Sequence, residues 1–145
     1  MPELVLPVFR NGLLVEVTIG PSAPFREALW RKGEPAASPM RCTFIIDTGA
    51  DSSMVNEQHM RSLGLTAIDN RPIVTATTTY HDRCDVYDVE LTIVHRSGEP
   101  FRGFHIPILA RPLNSQATDG MLGRDILAGL VLTYDGPKAV CSLSF

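Results

Sequence analysis

One acidic side chain of this sequence stands in a context that suits chemistry. Asp47 directly follows the three large apolar residues 44–46 and precedes Thr48, Gly49 and Ala50. A strand that buries such an apolar run places Asp47 at the strand's end, at the edge of the core. Thr48 can hydrogen-bond locally, and Gly49 lets the backbone turn sharply and approach a ligand or another chain. The pattern fits a carboxylate positioned for acid–base chemistry, or an Asp that caps the turn after a buried strand.

A second informative stretch lies much later in the chain. It reads Gly120-Met121-Leu122-Gly123-Arg124-Asp125, that is, two apolar residues, a glycine and the start of a short helix. Between the two stretches, the β-rich runs 73–79 and 87–94 are separated by polar residues and predict a hairpin. Taken in this order, the stretches resemble the retropepsin-like aspartic proteases, in their single-lobe, dimeric form of bacterial or cellular type.

This resemblance implies a fold and a set of site residues. The fold is all-β: a closed, barrel-like protomer with a ψ-shaped loop under the active site, a flap hairpin over residues 73–94 and one or two short helices. Asp47 takes the position of the catalytic residue, with Thr48 and Gly49 supporting its loop. Asp51 and Arg124 fall where the family has a structural ion pair. The expected groove and flap residues are Ala50, Thr77, Thr78, Thr79 and Tyr80.

Catalysis of this kind needs two carboxylates. Two adjacent carboxylates do not both ionise easily, so they share one proton. The ionised one activates water, and the protonated one donates to the substrate carbonyl. The sequence holds one Asp-Thr-Gly triplet, so the second carboxylate is expected from a second chain, with Asp47 facing its copy across a twofold axis. The resemblance therefore implies an aspartic endopeptidase that acts as a homodimer on a peptide or protein substrate.

Three features depart from the viral members of that family. The expected flap tip, residues 77–81, contains no glycine. Residues 21–41 form a longer, Pro-rich segment that we interpret as an inserted loop. Residues 131–145 continue beyond the last helix as a C-terminal hairpin with a turn at Asp135-Gly136.

The remaining pattern predicts one domain made mainly of strands. A chain of 145 residues with eleven Gly and eleven Pro fits a single domain, residues 1–145, with many turns. The predicted strands and helices are strands at 4–9, 13–19, 43–46 and 105–109, and helices at 25–32, 56–63 and 124–130.

Charge, hydropathy and cysteine content restrict the classes of partner and the compartment expected for the protein. A net charge of −3 without a basic patch argues against nucleic acid, and no stretch approaches the roughly 20 apolar residues of a membrane span. Cys42, Cys84 and Cys141 are widely spaced and odd in number, which favours reduced thiols and a cytoplasmic location. The four histidines lack metal-ligand spacing, so no metal or cofactor is expected, and His59 is interpreted as a surface residue.

Two other functions remain open at this level. Cys84 and His81 could act as nucleophile and base, although three residues apart on a regular strand they point to opposite faces. The fold could also serve as a dimerisation or peptide-binding module with little or no proteolysis. Asp47 favours the enzyme, because a pure binding module has no use for an acidic residue at the end of an apolar strand.

Overall fold

Strands dominate the protein, as predicted. The computed structural model describes residues 1–74, 82–113 and 117–145. Its elements in chain order are β1 (Glu3–Phe9), β2 (Gly12–Pro21), α1 (Ala23–Arg31), β3 (Met40–Ile46), β4 (Met54–Asn56), α2 (Glu57–Ser62), β5 (Asp69–Pro72), β6 (Arg83–Val94), β7 (Pro100–Arg111), β8 (Gly120–Leu122), α3 (Arg124–Leu127), β9 (Val131–Asp135) and β10 (Val140–Ser144).

Six of these strands close into a barrel. The hydrogen-bonded order runs β6, β7, β4, β8, β3 and β2, and β2 pairs again with β6 to complete the ring. The longest ladder is the antiparallel pair of β6 and β7, in which Asp85 lies opposite Ala110 and Ile93 opposite Arg102. Closure satisfies the backbone groups that an open sheet would leave exposed at its edges. This is the all-β barrel that the resemblance implied.

A ψ-shaped arrangement lies within the barrel. The short strand β8 pairs in parallel with β3, with Ile46 opposite Leu122, and antiparallel with β4, with Met54 opposite Met121. The chain therefore leaves β3, passes through the segment around Asp47 and returns as β4 on the other side of β8. Residues 47–53 are thus held between two strands that share one neighbour.

The core fills the barrel with side chains from alternate strand positions. Val15, Val17 and Ile19 of β2 are buried, while the residues between them are partly exposed. Because successive side chains of a strand point to opposite faces, this alternation identifies the inward face of β2. The largest fully buried side chains include Phe44, Met60, Leu91, Ile93, Ile108, Leu122 and Ile126.

Four strands extend the sheet beyond the barrel: β5 pairs with β6 on one side, and β1, β10 and β9 follow β2 on the other. β1 pairs with β2 through Val8 and Phe9, and β10 pairs with β1 over Glu3–Pro7. β9 then pairs with β10, which places the predicted C-terminal hairpin at the outer end of the sheet.

Each predicted helix is present, and side chains cap the N-termini of α1 and α2. Asn56 caps α2 by accepting a hydrogen bond from the backbone N–H of Gln58 at 3.2 Å, and Gly64 follows the last turn. Within the segment 21–41, α1 is capped by Ser22 and begins with Pro24 in its first turn. The third helix is shorter than predicted and ends at Leu127.

The expected flap hairpin is described only in part. Its first strand is predicted over 73–79, of which residues 75–79 lie outside the described residues; the described strand that pairs with β6 is β5, which ends at Pro72. Ile73 continues the pairing with a single bond from its N–H to the carbonyl of Asp82 at 3.0 Å. The two strands therefore lead into residues 75–81, so the expected tip, including Thr77, Thr78, Thr79 and Tyr80, lies outside the described residues.

Candidate active site

Asp47 lies directly after β3 and is held by its own loop. Its backbone N–H donates to the carbonyl of Leu122 at 2.9 Å, which continues the pairing of β3 with β8. Its Oδ1 accepts a hydrogen bond from the N–H of Gly49 at 2.9 Å, and its carbonyl accepts one from Ala50 at 3.2 Å. Asp47 is half-buried, whereas Thr48 and Gly49 are exposed. The carboxylate is therefore oriented by the backbone and accessible from outside.

The start of α3 fixes the same loop from the other side of the ψ arrangement. The backbone N–H of Arg124 donates to the carbonyl of Ala50 at 2.8 Å. Its guanidinium Nη1 donates to the carbonyl of Thr48 at 2.9 Å. Arg124 thus holds the backbone on both sides of Gly49.

The predicted ion pair of Asp51 with Arg124 needs correction. Both residues are exposed, and none of the ion pairs within the described part of the chain joins them. The guanidinium donates to the carbonyl of Thr48 instead. A charged donor that supports the loop is therefore present where it was expected, but its acceptor is a backbone oxygen.

A buried serine and an aspartate form the stronger link between the two stretches. Ser53 is fully buried, and its hydroxyl donates to Oδ1 of Asp125 at 2.6 Å while accepting from the N–H of Gly123 at 2.9 Å. The backbone N–H of Ser53 donates to Oδ2 of the same carboxylate at 2.8 Å. These residues were not among the predicted site residues. The signal in the sequence was the position of Asp125 directly after Gly123-Arg124, but nothing local identified Ser53 as its partner.

Two glycines allow the ψ arrangement to pack this closely. A Cβ atom at Gly120 would lie 2.4 Å from the carbonyl oxygen of Met54 and 2.6 Å from Cζ of Phe44. At Gly123 it would lie 2.7 Å from the backbone carbon of Ser52. Since the neighbouring atoms are mainly backbone, they cannot move aside cheaply. Gly120 is therefore required by the close approach of β3 and β4, and Gly123 by the close approach of the Asp47 loop.

A sequence profile described as aspartyl protease matches residues 38–126, a range that contains both the Asp47 loop and the Arg124 segment. The chain belongs to the aspartyl protease family. A search of curated proteins found no match.

Comparison with a solved structure supports a retropepsin-like fold for this chain. A retropepsin-like aspartic protease from Rickettsia conorii matches with a TM-score of 0.56 at 16% identity, covering 97% of this chain and 89% of that one. EIAV protease in complex with the inhibitor HBY-793 matches with a TM-score of 0.35 at 21% identity, covering 61% of this chain and 76% of that one. The Rickettsia match supports a shared fold over nearly the whole chain.

The arrangement brings some of the predicted residues together. Asp47, Thr48, Gly49 and Ala50 form one loop, and Arg124 contacts it through two carbonyls. The described part of this chain presents one such loop. No helix in the described part of the chain is long and apolar enough to cross a membrane.

Proposed function

We propose that the chain is an aspartic endopeptidase whose active site forms between two copies of Asp47 in a homodimer. The observation that carries this proposal is the half-exposed Asp47 carboxylate, which is fixed by the N–H of Gly49 at the end of a buried strand. Family membership supports a protease, and the loop gives the carboxylate a fixed direction. A single carboxylate lacks the partner with which to share a proton, so the second copy supplies it.

Water between the two carboxylates performs the hydrolysis. The ionised Asp47 removes a proton from water as its oxygen attacks the peptide carbonyl carbon. The protonated Asp47 of the other copy donates its proton to the carbonyl oxygen, and proton transfer to the leaving nitrogen then breaks the C–N bond. Thr48 is exposed beside the carboxylate, where we expect its hydroxyl to bond across the twofold axis.

Exposed surface around the site and at the outer sheet supports a second copy. Thr48 and Gly49 are exposed in the single chain. In the outer sheet, Val5 and Tyr134 leave 59% and 58% of their surface exposed, and β9 is an edge strand with one pairing partner. An exposed edge with apolar side chains favours association with another chain.

The substrate is an extended peptide in this proposal. Ala50 and the residues of the expected flap tip, Thr77, Thr78, Thr79 and Tyr80, bind its backbone, and its side chains point alternately to either side. The three free, buried thiols fit a reducing compartment such as the cytoplasm.

Replacing the carboxylate with its amide tests the proposal. Asp47→Asn is nearly isosteric but cannot share the proton, so cleavage of a denatured protein mixture at mildly acidic pH is expected to stop while the dimer persists in sedimentation. Glu99→Gln makes the same chemical change at an exposed turn residue and serves as the matched control. The wild type is expected to give a bell-shaped pH profile with its maximum below neutral, because the pair titrates in two steps.

Two results would contradict this function. Activity of Asp47→Asn near that of the wild type would remove Asp47 from the chemistry. Full activity of a chain that sediments as a monomer would remove the second carboxylate. A wild type that binds peptides without cleaving them, with equal affinity in Asp47→Asn, would instead favour the peptide-binding module.

A further inference from the structure

Three side chains with metal-binding atoms converge away from the Asp47 carboxylate. Cys42 belongs to β3, His59 to α2, and Asp119 directly precedes β8. One ligand atom from each of the three side chains lies within 4.8 Å of the other two. These residues are distant in sequence, which is why the spacing of the histidines predicted no metal site.

Asp119 is the fixed member of this cluster. Its Oδ2 accepts a hydrogen bond from the N–H of Thr43 at 2.8 Å, and its own N–H donates to the carbonyl of Thr43 at 2.9 Å. Its carbonyl accepts from the N–H of Asn56 at 2.8 Å. The other carboxylate oxygen, Oδ1, lies 2.9 Å from Nε2 of His59. One oxygen is therefore anchored to the backbone, while the other faces the imidazole.

One residue of the cluster is buried, and the other two are partly exposed to solvent. The Cys42 residue is only 3% exposed. The side chains of His59 and Asp119 are 22% and 39% exposed. An ion can therefore reach the imidazole and the carboxylate from solvent and meet the thiol beneath them.

We propose that Cys42, His59 and Asp119 bind a divalent transition-metal ion of the Zn²⁺ class, with water as the fourth ligand. Zn²⁺ takes sulfur, nitrogen and carboxylate oxygen together, in tetrahedral geometry with bond lengths of about 2.0–2.3 Å. Donor atoms around such an ion lie roughly 3.3–3.8 Å apart, so the three side chains need only small adjustments. A mixed sulfur, nitrogen and oxygen set also disfavours Mg²⁺ and Ca²⁺, which prefer oxygen alone.

Charge and protons balance on binding. The Cys42 S–H bond breaks as the S–metal bond forms, and the proton leaves to solvent. The imidazole binds in its neutral form: the Nε2 proton that bonds to Asp119 leaves to solvent while Nδ1 takes one up, and the hydrogen bond between His59 and Asp119 is replaced by a bond from each residue to the ion. The thiolate and the carboxylate together carry the charge that offsets the ion's two positive charges. The hydrogen bond from Thr43 to Asp119 remains and orients the ligating carboxylate from the second shell of the site.

The ion links the elements of the ψ arrangement. Cys42 lies on the strand that leads to Asp47, Asp119 lies at the start of β8, and His59 is on the helix that follows β4. Binding to the folded chain in preference to the unfolded one stabilises the fold. The site is independent of the proposed proteolysis, since none of its three ligands belongs to the Asp47 loop.

Cobalt titration of the full chain tests this site by a spectroscopic signature. Co²⁺ stands in for Zn²⁺, and a cysteine ligand gives a thiolate-to-cobalt charge-transfer band in the near ultraviolet. We expect the band to saturate at one Co²⁺ per chain, to vanish when Zn²⁺ displaces the cobalt, and Zn²⁺ to raise Tm. Absence of the band in the folded wild type would overturn the proposal without bearing on proteolysis.

Matched variants distinguish metal binding at this site from nonspecific metal binding elsewhere on the surface. His105 pairs with Asp88 at 2.8 Å in a similar contact elsewhere on the surface, so His105→Gln is the control for His59→Gln. We expect His59→Gln to weaken binding by more than about 10-fold and His105→Gln to leave it unchanged. Cys42→Ser is compared with Cys141→Ser, which removes another buried thiol. Equal affinity in His59→Gln and the wild type would overturn the proposal even if Cys42→Ser failed to fold.

Discussion

The Asp125 carboxylate accepts hydrogen bonds from both the backbone N–H and the hydroxyl of Ser53, at 2.8 and 2.6 Å. The same hydroxyl accepts a bond from the N–H of Gly123. This pair joins the end of the Asp47 loop to the first turn of α3. The position of Asp47 therefore depends on a carboxylate that is itself outside the chemistry.

Ser53→Ala removes the hydroxyl at the centre of that link. It leaves the buried N–H of Gly123 without its acceptor, and the Asp125 carboxylate loses one donor. We expect the free energy of unfolding to fall by about 1–3 kcal/mol, measured by urea denaturation. Ser52→Ala is the control, since its hydroxyl makes no hydrogen bond within the described residues; a change below about 0.5 kcal/mol is expected there. Equal losses in the two variants would show that the link contributes nothing specific.

Gly120→Ala and Gly123→Ala test the close approach of β8 and the Asp47 loop. The added Cβ would meet backbone atoms at 2.4 Å and 2.7 Å respectively. We expect a destabilisation of about 1–3 kcal/mol or more from overpacking, together with loss of activity. Gly103→Ala is the control, because its Cβ would lie 3.6 Å from Oγ1 of Thr92, an ordinary contact. Thermal denaturation of the three variants gives the ranking, and a Gly103 variant as unstable as the others would contradict it.

Arg124→Ala tests a positioning residue by its kinetics. The side chain is exposed, so its loss is expected to lower the free energy of unfolding by no more than about 1 kcal/mol. Because the guanidinium holds the Thr48 carbonyl beside Asp47, kcat is expected to fall while KM for a peptide changes little. Arg96→Ala removes another exposed guanidinium and is expected to change neither. A purely structural role would reduce the amount of folded protein without changing kcat per folded dimer.

The three thiols are expected to resist modification in the folded protein. Burial, and next the carboxylates of Asp119 and Glu16, raise the pKa of Cys42 to about 12. Burial also raises the pKa of Cys84 and of Cys141. Because the pKa of each thiol is raised, all three stay protonated at pH 8. The thiolate is the reactive form, so the protonated thiols are protected. A disulfide reagent is expected to label none of them rapidly in the native chain and all three in urea; rapid native labelling would show an accessible thiol.

Glu90 links α1 to the barrel in a pH-dependent way. Its carboxylate accepts hydrogen bonds from Arg26 and from the N–H of Ala23, the first residue of α1. The Arg26 hydrogen bond is the main reason that the pKa of Glu90 is lowered. Since the folded-state pKa lies below the unfolded value, the stabilisation is complete above the unfolded value and is lost as the pH falls through the folded one.

Glu90→Gln is therefore expected to destabilise the chain at pH 7 and to converge with the wild type at low pH. The pair is more than a third exposed, so the loss is expected to be no more than about 1 kcal/mol. Glu27→Gln breaks the exposed pair with Arg31 within α1 and is expected to cost less than about 0.5 kcal/mol. Urea denaturation at several pH values measures both, and a pH-independent difference for Glu90→Gln would contradict the assigned cause.

The sequence predicted those elements whose ends are set by residues next to them in the chain. The Asp-Thr-Gly triplet after an apolar run placed Asp47 at the end of a strand, and Asn56 with Gly64 marked the limits of α2. β5 escaped prediction because its residues, Asp69–Pro72, are polar and typical of a turn. β7 is longer than the predicted strand at 105–109 because it begins at Pro100 and continues through Gly103, a residue type that usually weakens strands.

The partners of the site residues could not be predicted in the same way. Ser53 and Asp125 meet only because β3, β8 and β4 pair in their particular order. The choice of the Thr48 carbonyl over Asp51 as the acceptor for Arg124 depends on the conformation of the folded loop. Such contacts depend on tertiary geometry, and no periodicity in the sequence encodes them.

Because β3 pairs with β8, the Asp47 loop depends on residues that are synthesised much later than the loop itself. The carbonyl held by Arg124 belongs to a residue made 76 positions earlier. During synthesis, Asp47 therefore joins the chain well before the residues that support its loop. Contacts between such distant residues form slowly, because a long loop must close first. The growing polypeptide therefore lacks the support of the Asp47 loop until Leu122 and Arg124 have been translated.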